Sequence, residues 1–121
     1  MPNRDNFPMI FNHLKTILEE LVPPLTVQVN TPDNYSLNAP SSSRYPNGFF
    51  FGAVQLRKNY VSYHLMPIYM YPDLLESVSD RLKKRMQGKS CFNFTILDEE
   101  LVEELAQLTT AGIKRFRNDQ T

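Results

Sequence analysis

The chain has 121 residues, 41% of them hydrophobic and 21% charged, and thirteen Lys and Arg balance thirteen Asp and Glu. That length gives one domain, spanning 1–121, able to bury about two-thirds of its unfolded surface. The zero net charge argues against bulk electrostatic capture of nucleic acid or of an anionic membrane.

The segment Met1 to Asn6 lacks the apolar stretch of a signal peptide, so no leader is expected. Ile10, Leu14, Ile17, Leu18 and Leu21 then recur at helical spacing, with Pro8 in the first turn and Val22-Pro23-Pro24 as the stop. His13 lies beside this apolar face and reads as a packing residue. Leu25 to Asn30 alternates with period two, the pattern of a half-buried strand. Pro32-Asp33-Asn34 is a turn, and Tyr35 to Ala39 a second, shorter strand. Pro40 to Gly48 is rich in Ser and Pro and is expected to be a mobile loop, as are the two ends.

Phe49 to Leu56 and Tyr60 to Met66 flank Arg57-Lys58-Asn59 as a hairpin. The first of these is the longest apolar run, far short of the ~20 residues of a membrane helix. Pro67 and Pro72 bracket an irregular connection. Leu74, Leu75, Val78, Leu82 and Met86 then mark a helical stretch from Asp73 to Met86, which Ser79-Asp80 can break into two. Cys91 to Ile96 is a last alternating strand. Asp98 suits the N-cap of a final helix to Phe116, with Leu101, Leu105, Leu108 and Phe116 inward and Gly112 permitting close approach. The order α-β-β-β-β-α-β-α, with short turns between strands, defines an α+β domain. Its sheet has about five antiparallel strands, with the helices packed on one face.

Four groups of residues bear on chemistry. Arg81, Lys83, Lys84, Arg85 and Lys89 form a basic cluster, and Gly88-Lys89-Ser90 resembles the end of a phosphate loop. That triplet leaves a helix and enters a strand, the reverse of a phosphate loop, and Lys83 occupies the place of its first glycine. A solvated face complementing a helix C-terminus is the expected reading. Asp98, Glu99, Glu100, Glu103 and Glu104 form an acidic cluster that would attract a hard cation such as iron weakly, although acidic residues also suit a helix start.

Strand alternation gives the third group. With Val61, Tyr63 and Leu65 toward the helices, Tyr60, Ser62, His64 and Met66 face away. Phe92 and Phe94 then point inward, leaving Cys91 and Asn93 beside that second face, with Gln28 and Gln55 as further candidates. Such a face could hold a small ligand through Tyr60, Ser62, His64 and Asn93. It is equally the wet side of an ordinary antiparallel sheet. Finally, Cys91 and His64 are the natural nucleophile–base pair, and their proximity depends on strand order. Two histidines and one cysteine argue against a tetrahedral zinc site.

Three separated blocks resemble the YdhG-like family of small bacterial domains, largely of unknown function. They are Phe49-Phe-Phe-Gly-Ala-Val54, Lys58-Asn-Tyr-Val-Ser-Tyr-His-Leu-Met-Pro67 and Met86-Gln-Gly-Lys-Ser-Cys-Phe-Asn-Phe94. The resemblance implies a frataxin-like fold and, from one member, a role as an intracellular iron chaperone. Here only Glu99, Glu100, Glu103 and Glu104, with Asp98, form a dense acidic patch, and they sit at the last helix.

The expectation is therefore a non-enzymatic binding or accessory protein, with weak iron handling as its specific form and no resident cofactor beyond weakly bound iron. The alternative is a small-molecule-binding domain using the polar sheet face. A protein partner or a second copy is expected before nucleic acid or membrane. One cysteine makes no internal disulfide, which suits a reducing, cytoplasmic setting.

Overall fold

The computed structural model describes residues 6–41, 45, 46 and 48–120. The two ends, at residues 1–5 and 121, and residues 42–44 and 47 of the expected loop from Pro40 to Gly48 lie outside the described residues. The elements run α1 (Phe7–Glu19), β1 (Thr26–Thr31), β2 (Asn34–Ala39), β3 (Phe49–Leu56), β4 (Val61–Leu65) and α2 (Met66–Met70). A 3₁₀ segment (Pro72–Ser77), α3 (Asp80–Lys83), β5 (Cys91–Phe94) and α4 (Glu99–Gln120) complete them.

Apolar spacing sets α1, and its buried stripe is wider than Ile10, Leu14, Ile17 and Leu18, because Phe7 and Phe11 join it. His13 falls off that stripe and is exposed, which corrects its reading as a packing residue. The Val22–Pro23 and Pro23–Pro24 peptide bonds are both cis. The strands form one antiparallel sheet in the order β1-β2-β3-β4-β5.

Helix α1 packs over β3 and β4. Gly52 of β3 is demanded by the neighbouring strand, since a Cβ there would stand 2.8 Å from the His64 carbonyl oxygen, whereas Leu18 Cδ2 of α1, at 3.6 Å, would be in ordinary contact. Gly112 of α4 has the expected role, with its Cβ position 3.1 Å from Pro67 Cβ. Leu14, Leu18, Val61, Tyr63, Leu65, Phe92 and Leu105 are fully enclosed in the core, each apolar side chain of this size contributing roughly 1.5–3 kcal/mol.

Three elements differ from the sequence reading, and a fourth takes the broken form that the reading allowed. β1 alternates but is not half-buried: only Val29 is partly covered, and Val27 is exposed. It is an edge strand, and α1 lies over β3 and β4 instead. The stretch after β4 is a helical turn, not an irregular connection, because a proline in a first turn loses no helical hydrogen bond. The 73–86 stretch breaks at Ser79, as its sequence allows: Val78 and Ser79 are extended, and Ser79 Oγ accepts from the Leu82 N–H. β5 ends at Phe94, leaving Ile96 outside the sheet and exposed.

Candidate functional site

Because Val61, Tyr63 and Leu65 are sealed beneath the helices, period-two geometry directs Ser62 and His64 to the other face. Strand register then builds two transverse rows there. Asn34, Gln55, Ser62 and Asn93 stand opposite one another across β2, β3, β4 and β5. Ser36, Ala53, His64 and Cys91 form the adjacent row.

The second row puts a thiol on an imidazole. Cys91 Sγ is 2.8 Å from His64 Nδ1, and Ser62 Oγ is 3.3 Å from His64 Nε2. Burial pushes the Cys91 thiol above its ordinary value, with a Ser90 side-chain hydrogen bond pulling partly back. Burial also lowers the His64 pKa, and the nearby Arg57 guanidinium lowers it further. Both shifts favour neutral forms. In the matching tautomer the thiol donates to Nδ1 and the Nε2 hydrogen donates to Ser62 Oγ.

A neutral imidazole beside a thiol is a base in position, but acyl chemistry also needs donors aimed at a developing oxyanion. The nearby backbone N–H groups are taken by the sheet: Leu65 donates to the Ser90 carbonyl and Asn93 to that of Arg85. The Cys91 carbonyl accepts from Gln87 N–H, so residues 85–87 run along the outer edge of β5. The pair offers hydrogen bonding, soft ligation and a neutral base beside a thiol on a polar surface.

Other expected members fall as follows. Ser62 belongs to this face by register yet is buried, flanked in its row by Gln55 and Asn93 with the His64 ring bonded to its hydroxyl. It therefore acts through His64 and does not itself look out to solvent. Asn93 and Gln55 are partly exposed, as expected. Tyr60 precedes β4, its carbonyl closing the hairpin by accepting from Arg57 N–H. Gln28 is not part of the group: it lies at the bulge of β1 and donates to Thr26 Oγ1. Asn34 and Ser36 were not expected. The polar alternation Asn34-x-Ser36-x-Asn38 was their available signal.

The acidic residues are turned to structural use. Glu104 accepts from both the N–H and the hydroxyl of Ser79, each at 2.6 Å. Arg81 donates to Asp98 and, at 2.9 Å, to Glu100. Asp98 Oδ1 also accepts from Glu100 and Leu101 N–H, the expected N-cap of α4. Glu99 and Glu103 are exposed. Among the described residues no group of three or more His, Cys, Asp or Glu converges to hold a metal ion, and no helix is long and apolar enough to cross a membrane.

In comparisons with known proteins, the chain matches no family model, no curated protein and no solved structure.

Proposed function

We propose that this protein is a non-enzymatic binding or accessory protein whose working surface is the helix-free face of its sheet. The observation that carries the reading is the placement of His64, hydrogen-bonded to both Cys91 and Ser62, in the middle of a polar face. A neutral thiol, a neutral imidazole and the Asn93 and Gln55 amides recognise a partner by hydrogen bonds more than by charge. An extended sheet face suits a protein partner or a second copy, and the second reading is a small ligand met by Tyr60, His64 and Asn93, with the buried Ser62 holding the His64 ring. A lone thiol suits work in the cytoplasm.

A photo-crosslinking amino acid at Gln55 or Asn93, compared with one at Glu99 or Lys114, tests the surface in extracts of cells that make the protein. A discrete adduct from the sheet positions alone is expected. Adducts from the helix positions alone would end the reading.

A further inference from the structure

A cleft of about 200 Å³ opens beside α3, and it lies on the opposite side of the sheet from His64 and Cys91. Its apolar wall is Phe94, Leu101 and Ile96. The first two belong to the core, whereas Ile96 is 60% exposed, an apolar side chain that the fold leaves uncovered. Its charged wall is Arg81, Lys84 and Arg85.

These cations are not equivalent. Arg81 is held by Asp98 and Glu100. Among the described residues Lys84 and Arg85 have no ion-pair partner. Three cations against Asp98 and Glu100, the two carboxylates that hold Arg81, leave one net positive charge beside the hollow, in a chain whose own net charge is zero. A basic helix end alone needs only solvent around its cations. The apolar wall, with Ile96 at its margin, is what a solvated basic face does not require.

The geometry points to a binding site for a small organic anion with an apolar body, its carboxylate met by Lys84 and Arg85 and its body laid against Ile96, where the buried edges of Phe94 and Leu101 close the floor of the cleft. The planar Arg85 fork suits a carboxylate, and charge-assisted hydrogen bonds are the stronger kind. The cleft is smaller than the ~300–1,000 Å³ of drug-sized sites, so its ligand carries one ring or a short branched chain. A ligand of that size in an open site binds with a Kd of about 1 mM.

The test is an amide-resolved NMR titration with 4-phenylbutyrate, 4-phenylbutan-1-ol and inorganic phosphate. The acid is expected to give saturable shifts at Thr95, Ile96 and Leu101. The alcohol should bind about 10-fold more weakly, as should the acid to a Lys84→Gln/Arg85→Gln variant. Inorganic phosphate should not saturate. Ile96→Ser, which leaves both cations in place, should weaken the acid about 3-fold through lost apolar contact. Equal affinity for acid and alcohol would overturn the proposal, as would undiminished binding by the double variant. Saturation by phosphate alone would reduce the site to a basic patch and overturn it too. Unchanged peaks elsewhere in each spectrum establish that the variants fold.

Discussion

The Tyr63 hydroxyl lies 2.6 Å from the Thr109 hydroxyl, both buried, and joins β4 to α4 across the core. Burial holds the phenol well above its ordinary pKa, with the Thr109 hydrogen bond pulling partly back. Removing one partner strands the other, which costs about 1–3 kcal/mol. Thr109→Val should therefore destabilise strongly, because among the described residues the phenol has no other hydrogen-bond partner. Tyr63→Phe should cost less, since a helical threonine can turn its hydroxyl to the preceding carbonyl. The double variant should recover part of the loss. Chemical denaturation of the four proteins measures this, and strictly additive losses would contradict it.

Cys91 is expected to be a slow thiol. Its pKa is raised by burial, and its imidazole neighbour favours the neutral form. Iodoacetamide labelling should still be accelerating as the pH passes its ordinary value of 9.0. Cys91→Ala should fold with a loss of about 1 kcal/mol or less. A labelling midpoint near or below about pH 7 would instead mark an activated thiolate and reopen enzymatic chemistry.

His64 gives stability a pH dependence of definite sign. Its folded pKa lies below the ordinary 6.5, so near and below that value the unfolded chain binds more protons than the folded one. The contribution is whole above pH 6.5 and is lost as pH falls through the folded value. Thermal melts should show Tm falling between about pH 7.5 and pH 5 more steeply in the native protein than in His64→Gln. Parallel slopes would show that the imidazole is not the group responsible.

Iron affinity at the start of α4 should be weak. Glu104 is engaged by Ser79 and Glu100 by Arg81, leaving Glu99 and Glu103 exposed without a converging third ligand. Anaerobic calorimetry with ferrous iron should give no saturable heat tighter than about 1 mM. A Glu99/Glu100/Glu103/Glu104→Gln variant should behave alike. Micromolar binding that disappears in the variant would restore the acidic cluster as an iron site.

Local pattern alone determined the class of this protein. The period of 3.6 in α1 and α4, the period of two in β4 and β5, the apolar run of β3, and the prolines and polar turns between them specify an α+β domain with an antiparallel sheet. They also assign Tyr63, Leu65, Phe92 and Phe94 to the core, because side-chain direction follows from backbone geometry within one element. Pairing between elements is not encoded in any local period. That His64 opposes Cys91, that Gln55 joins this face while Gln28 does not, and that Glu104 turns to Ser79 all depend on register and packing angle. The 73–86 stretch shows the same division: its apolar spacing fits one continuous helix, but Val78 and Leu82 are buried across a break at Ser79 that Glu104, 25 residues away, reinforces. Tertiary contacts decided these points because register and packing join residues that are far apart in sequence, where no local period reaches.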